Sequence, residues 1–512
     1  MNQFSRIDPL DIQRNLQTDR LAWLWLLIGF ILLPFITWQT VIPLAAWLAP
    51  VFLLRFARTS PRTFVTLLLI FVVYAVGNLI SNRGCPFNLL GFIGNLLFKG
   101  LLWTLPYAAD RLIGSRLKAW ARLLVFPLAF TTVDWVLSLL RVSSSGSPAY
   151  SQYDNLALMQ IISITGMWGL TFLITWFAST VNALWEHNFD WKPVRGTLGL
   201  FIAVLVAAQL FGSIRLSFAP SSSQTVEAAT ITTDSAAWQA ATSSINWTTF
   251  NRSTDAERAA VRPKFEATVN QMLARTETAL RGGAKIVGWQ EESAWVLAED
   301  EQSVLGRAAA LARQYDAYLQ VSLGAFTRTE KLLYLLDRSI LIDKTGKILW
   351  EYDKTRLVPY DEVFVTIAGK GVLPHADTPY GRMSAAICYE NYYPAMIRQA
   401  GEIGADILFA PSNDVPPFAS SASVMFIYRA IENGFSMIRA TGRGISLITD
   451  YEGRVLGSQD YFTDKSGIMI TTIPTRGVRT VYSRIGDAFA YLSVAGLIFL
   501  AGWAFIRREQ PS

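Results

Sequence analysis

Long apolar stretches alternate with short basic ones over the first 217 residues, and then the pattern changes. Apolar runs fall near residues 21–38, 40–54, 63–81, 87–108, 123–140, 158–185 and 196–217, and a last one covers 486–506. A helix needs about 20 apolar residues to cross a bilayer, and somewhat shorter runs are tolerated. The pattern therefore predicts a seven-helix transmembrane domain over 1–217 and a C-terminal transmembrane helix with a short tail over 486–512. The first run reads as a retained span, because the next follows almost at once with no small-residue cleavage site between them.

From 218 to 485 the runs are shorter. Strand-like segments appear at Thr225–Thr232, Lys285–Trp289, Ala317–Leu323, Ser339–Asp343, Ile348–Tyr352, Met383–Cys388, Ile407–Ala410, Ile445–Thr449 and Ile468–Ile473. Helix-like stretches at 254–281, 301–315 and 419–434 alternate with them. Asp343-Lys344-Thr345-Gly346 and Asp450-Tyr451-Glu452-Gly453 read as hairpin turns. Strands mixed with helices predict one α/β domain with a mixed sheet, inserted between the seventh and eighth spans.

Charge fixes an orientation for this layout. Arg6, Arg14 and Arg20 precede the first run; Arg55, Arg58 and Arg62 follow the second; Arg111, Arg116, Lys118 and Arg122 follow the fourth; Lys192 and Arg195 follow the sixth; Arg507 and Arg508 follow the last. The alternate loops, near Gln39, 82–86 and 142–157, are poor in Lys and Arg. Basic loops stay in the cytoplasm, so both termini are expected there and residues 218–485 on the other side. Only 16% of residues are charged and 52% are hydrophobic, against about 25% charged in ordinary soluble domains. The 17 Trp suit membrane-interface belts. The net charge of +6 is accounted for by these loops. No basic stripe interleaved with aromatics appears in the polar segment, which argues against a nucleic-acid partner.

Two cysteines, Cys85 and Cys388, do not make a disulfide framework, and two isolated histidines, His187 and His375, make neither a zinc site nor a Ser-His-Asp site. Three segments of the polar region place polar groups just past a strand, where open α/β sheets bind ligands. They are Ile286-Val287-Gly288-Trp289-Gln290-Glu291-Glu292-Ser293-Ala294, Tyr352-Asp353-Lys354 with Leu357-Val358-Pro359-Tyr360-Asp361-Glu362, and Ile387-Cys388-Tyr389-Glu390. A carboxylate, an ammonium and a thiol suffice for acyl transfer. The carboxylate takes the thiol proton, the thiolate attacks a carbonyl, and the ammonium with a backbone N–H stabilises the oxyanion. Taken singly, each residue type is more often a solvated charge or a small core side chain.

In this order the three segments resemble the nitrilase superfamily and, more narrowly, the apolipoprotein N-acyltransferase family. Ser412-Asn413-Asp414, Arg429-Ala430-Ile431-Glu432-Asn433-Gly434 and Arg439-Ala440-Thr441 extend the resemblance, as does Tyr150–Leu173 in the membrane region. The resemblance implies a four-layer αββα nitrilase-like domain carried on a multi-span α-helical membrane domain in a bacterial inner membrane. It implies Glu291 as general base, Lys354 as oxyanion ammonium and Cys388 as nucleophile. Glu362 would be a second carboxylate, while Tyr389, through its N–H, and Glu390 would shape the pocket. Counting from Trp289 gives Glu291 as the base; counting back from Ser293-Ala294 gives Glu292. Alternation along a strand allows only one of them into the site, and Glu291 is favoured.

The implied reaction moves an acyl chain from a phospholipid to the N-terminal amine of a diacylated lipoprotein through a Cys388 thioester. It calls for no metal and no cofactor. The chain departs from the family between its Glu362 and Cys388 motifs, where only residues 363–387 stand in place of a longer arm, and after Asn413-Asp414, where Val415-Pro416-Pro417-Phe418 is unusual. The shortened arm keeps open a membrane-anchored amidase, or a transferase with another acceptor. A non-catalytic scaffold is the reading from outside enzymology.

Overall fold

The computed structural model describes residues 19–84, 89–140, 143–218, 224–359 and 361–506. Cys85 and the basic residues Arg6, Arg14, Arg507 and Arg508 lie outside the described residues. Helices cover Ala22–Leu32, Pro43–Thr59, Thr63–Ser81, Leu89–Leu112, Ala119–Leu139, Met167–Glu186, Arg195–Ser217 and Ala488–Ile506. Five of the described helices are long and apolar enough to cross a membrane: Thr63–Ser81, 120–139 within Ala119–Leu139, Met167–Glu186, Arg195–Ser217 and Ala488–Ile506. Phe64, Leu68, Val72 and Leu79 on one helix, and Leu200, Val206, Leu210 and Ile214 on another, are exposed. Patches of that kind are costly in water and at rest in lipid.

Of the eight expected spans, the runs at 21–38, 40–54 and 87–108 give no helix among those five, and the run at 158–185 is divided. The run at 21–38 yields an 11-residue helix and a 3₁₀ turn, Leu33–Phe35, with Pro34 at its start. At 1.5 Å per residue that helix covers roughly half of a ~30 Å hydrocarbon core. The run at 158–185 becomes a long helix only at Met167. Gly166 has φ 64°, a left-handed conformation that ends the preceding turn Ile162–Thr165.

Ion pairs gather one end of the bundle. Arg58 forks onto Asp110 at 2.8 and 2.7 Å and reaches Glu186 at 3.2 Å, where Arg122 also binds at 3.2 Å. The ends of three helices, and the start of a fourth, are thereby tied where the sequence places its basic loops. The opposite end meets the α/β domain. Met167 N–H, at the start of its helix, donates to Glu432 Oε1 at 2.8 Å, a carboxylate at the positive helix end. Gln160 donates to Glu452 O at 2.9 Å, and Trp168 Nε1 to Asp487 Oδ1 at 2.8 Å.

The α/β domain is two facing sheets between helices. One sheet runs Ile468–Pro474, Thr225–Ile231, Ile286–Trp289, Tyr318–Phe326, Leu335–Ile342, Ile348–Asp353, with Ala294–Leu297 also on Tyr318–Phe326. The other runs Val455–Asp460, Ile445–Thr449, Ser436–Arg439, Ile407–Phe409, Gly381–Ala385, His375–Thr378. Both are mixed. The sheets touch at Gly288, where a Cβ would stand 3.2 Å from both Ile438 and Phe409 side chains. Helices Asp255–Arg281 and Glu301–Tyr315 pack Val269, Met272, Leu305 and Ala308 onto Val287, Leu319 and Ile340 of the first sheet. Pro394–Ile403 and Ala419–Asn433 pack on the second sheet. The result is the four-layer αββα arrangement of a nitrilase-like domain. Thr254 and Glu257 form a reciprocal cap at the start of Asp255–Arg281, satisfying two otherwise orphan N–H groups.

Candidate active site

The strand Ile286–Trp289 is held at its end by side chains. Trp289 is fully buried; its N–H donates to Gln320 Oε1 at 3.0 Å and its Nε1 to Thr276 Oγ1 at 2.8 Å. Gln290 accepts from Thr233 N–H at 2.9 Å. The chain then leaves the sheet in a turn at Glu291 and Glu292, and Glu292 has φ 46°. Strand alternation therefore does not separate the two carboxylates, because neither lies on the strand. Glu291 is 3% exposed and meets Lys354 Nζ at 2.5 Å. Glu292 is half-buried, and the charges of Glu291, Glu362 and Lys354 all act on it.

Lys354 lies one residue past Ile348–Asp353 with no exposed surface. Its N–H donates to Asp337 O and its carbonyl accepts from Gly369 N–H. A Cβ on Gly369 would fall 2.0 Å from Asp353 O, so only glycine permits this approach. The ammonium binds Glu291 at 2.5 Å and Glu362 Oε1 at 2.6 Å, and lies 3.5 Å from Asp337. Glu362 Oε2 accepts from Val358 N–H at 2.9 Å, which closes the loop between the two motif halves.

Cys388 follows the strand Gly381–Ala385, in a 3₁₀ turn Cys388–Tyr392 instead of the strand end the sequence suggested. Its φ is 43°, a strained value for a non-glycine residue, of the kind that concentrates at functional sites. Cys388 N–H donates to Pro411 O at 2.8 Å. Glu390 does not line the cavity beside Cys388. Its Oε1 accepts from Tyr352 Oη at 2.6 Å and Thr355 N–H at 2.7 Å, and its Oε2 from Ile387 N–H at 2.7 Å. It binds the Lys354 segment to the Cys388 segment.

Electrostatics follow from this burial. Burial, then the Glu291 charge, push the Cys388 thiol well above its usual range, while Lys354 pulls it down. The resting group is thus a thiol. Burial also raises Glu291, against the pull of Lys354. Lys354 is held charged, because its carboxylates outweigh its desolvation.

Asp337 went unmarked in the sequence, where the strand-like run begins only at Ser339; the strand in fact spans Leu335–Ile342 and includes it. Asp337 is 2% exposed, and the nearest donor to its carboxyl oxygens is the Lys354 ammonium, at 3.5 Å from Oδ2. Burial, then the charge of Glu291, raise it well above its ordinary value, against the pull of Lys354, which favours the protonated form that can donate a hydrogen bond to Glu291. Glu291, Asp337 and Glu362 each bring an oxygen within 4.8 Å of the others, a set that in composition could hold a cation. The Lys354 ammonium already stands against all three.

Cys388, Tyr389 and Tyr392 open onto a cavity of about 130 Å³, whose other wall is Trp38, in the turn that follows Leu33–Phe35, and Phe92 and Lys99 of the helix Leu89–Leu112. Ser144, beside that wall, bonds Tyr392 O through its N–H at 3.1 Å and its hydroxyl at 2.7 Å.

Comparison with known proteins agrees with both halves of this architecture. Residues 241–482 match the carbon-nitrogen hydrolase family, and residues 24–180 match the apolipoprotein N-acyltransferase N-terminal domain. The apolipoprotein N-acyltransferase of Geobacter metallireducens is 27% identical over 416 residues, covering 76% of this chain and 75% of that protein. That of Bradyrhizobium diazoefficiens is 25% identical over 458 residues, covering 83% and 80%. Among solved structures, an amidase from Nesterenkonia sp. aligns with a TM-score of 0.40 at 18% identity, over 52% of this chain and 96% of that one. Matched in its N-terminal helices as well as in its α/β domain, the chain belongs to the apolipoprotein N-acyltransferase family of the nitrilase superfamily.

Proposed function

We propose that this protein transfers an acyl chain from a phospholipid to the N-terminal amine of a diacylated lipoprotein, with Glu291, Lys354 and Cys388 as its catalytic groups. The observation that carries this reading is the shared cavity: the cysteine opens onto a space walled on one side by the N-terminal helical region, where a lipid ester can reach it. Relatives named apolipoprotein N-acyltransferase support the acceptor.

Glu291 takes the Cys388 proton as sulfur attacks the ester carbonyl. The carbon–sulfur bond forms, the carbon–oxygen bond breaks, and the Glu291 proton passes to the departing lysophospholipid oxygen. The acceptor amine then attacks the thioester. The carbon–nitrogen bond forms, the carbon–sulfur bond breaks, Glu291 takes the amine proton, and a proton returns to sulfur. Lys354 and the Tyr389 N–H stabilise the oxyanion in both halves. A carboxylate base in place of a standing thiolate suits a thiol whose burial disfavours ionisation. Glu362 and Glu390 position Lys354 and the Cys388 turn.

The units we assign are a transmembrane domain at 1–217, a catalytic domain at 218–485 and a final span with its tail at 486–512. The alternation of basic loops supports a multi-pass inner-membrane protein with the catalytic domain outside the cytoplasm. A reporter fused after Ser512 that is active only in the periplasm would overturn that orientation. Intact-mass measurement after incubation with phospholipid tests the chemistry: an acyl adduct on Cys388 that a diacylated lipopeptide discharges is expected. An adduct discharged only by water would favour a membrane-anchored amidase.

A further inference from the structure

Six Lys and Arg side chains are buried among the described residues: Arg58, Lys99, Arg258, Lys354, Arg429 and Arg439. Five of them pair with a carboxylate. Lys99 is the exception. It lies inside the helix Leu89–Leu112, is 8% exposed, and among the described residues donates one hydrogen bond, to Ser145 Oγ at 3.3 Å. A buried charge without a counter-charge is costly, and an ionisable group within membrane helices is retained for a ligand or a path. Lys99 lines the cavity onto which Cys388 opens. The carboxylate in that wall, Asp414, is already held by Arg439 at 2.6 and 2.7 Å. In the same wall the buried Asn95 Oδ1 has no hydrogen-bond partner among the described residues. Among the described residues no free carboxylate stands in that wall, which leaves Lys99 open to an anion that enters the cavity.

We propose that Lys99 anchors the phosphodiester of the acyl-donor phospholipid, setting its ester near Cys388. This rests on the acyl-transfer reading above and adds the group that tells a phospholipid from an uncharged diacylglyceride. Asn95 Oδ1 would accept from a headgroup ammonium or hydroxyl. The location at the junction of helices and α/β domain follows from Ser144, the neighbour of Ser145, which is bonded to Tyr392 O.

The test separates binding from chemistry. Full-length Cys388→Ala protein in detergent is offered phosphatidylglycerol or dioleoylglycerol, and retained lipid is read by native mass spectrometry. Retention should favour the phospholipid by about 10–100-fold, the range of a charge-assisted hydrogen bond. Lys99→Gln should erase that preference and Lys99→Arg should keep most of it. Equal preference in Lys99→Gln would overturn the anchor, and so would displacement of the lipid by millimolar inorganic phosphate, which would reassign the site to a free anion. Should Lys99→Gln fail to fold, the lysine-containing protein decides alone, since no preference for the phospholipid refutes the proposal. If retention depends on Lys99 yet Cys388 accepts no acyl group from any ester, the acyl-transfer reading fails and the anchor stands.

Discussion

Glu390 and Tyr352 join the two sheets of the α/β domain at the site: Tyr352 Oη, at the end of the strand carrying Lys354, donates at 2.6 Å to a fully buried carboxylate two residues after Cys388. The same carboxylate receives the N–H groups of Thr355 and Ile387. A single side chain thus fixes the spacing between the ammonium and the thiol.

Replacing that carboxylate should disturb both stability and chemistry. A glutamine offers one accepting oxygen where the site uses two. Glu390→Gln should cost about 2–3 kcal/mol, the range for buried bonds to a charged group, and Tyr352→Phe about 1 kcal/mol. Acylation of Cys388 should fall with the first far more than with the second. Unchanged melting temperature and acylation in Glu390→Gln would refute the bracing role.

The adjacent carboxylates should separate by function. Glu291 touches Lys354, whereas Glu292 sits in the left-handed turn beside it. Glu291→Gln should slow thioester formation by about 10²–10⁴-fold, the scale of general base catalysis. Glu292→Gln should cost less than about tenfold. The reverse order would transfer the base to Glu292 and leave the enzyme class intact.

The acid side of the pH profile should carry the Glu291 signature. Its carboxyl is raised above 4.5 by burial, and only its ionised form accepts the thiol proton. Acylation should therefore decline as pH falls through that raised value, with a midpoint above 4.5. Stopped-flow or quench measurement of the adduct across pH 4–9 checks this, and a midpoint at or below the ordinary glutamate value sinks it.

Asp337 predicts an opposite trend in stability. Its folded-state pKa is raised, so the folded chain binds a proton that the unfolded chain has already released above about pH 4. Stability from this group is present at low pH and is lost as pH rises towards the raised value. Asp337→Asn keeps a hydrogen-bond donor without that loss. It should raise the melting temperature more at pH 8 than at pH 5. A gain confined to pH 5, or a loss at pH 8, would show that Asp337 is ionised in the fold.

Lys354 should matter for folding as well as for rate. Lys354→Met leaves Glu291 and Glu362 without their counter-charge, which for a broken buried pair costs about 3–5 kcal/mol. Cys388→Ser should keep the melting temperature within a few degrees and remove acylation. A Lys354→Met variant as stable as the parent would mean the carboxylates are already neutral.

Much of this was legible along the chain because local chemistry decides it. Five of the eight apolar runs give helices long and apolar enough to cross a membrane, and every strand-like run proposed between Thr225 and Ile473 overlaps a strand. Glu291, Lys354 and Cys388 each stand just past a strand, so their motifs could be read one by one. Four strands of the two large sheets escaped: His375–Thr378 and Val455–Asp460, half-exposed edges with weak apolar patterns, and Ala294–Leu297 and Ser436–Arg439, short buried runs that periodicity does not tell from helix. Tertiary structure decided the rest. Glu291 meets Lys354 across 63 residues and Glu390 meets Tyr352 across 38. Neither spacing has a local signature. Asp337 gained its raised pKa, Glu390 became a brace and Lys99 a buried cation with no carboxylate beside it among the described residues only when distant segments closed around them, because burial and counter-charge are properties of the assembled fold and not of any stretch of sequence.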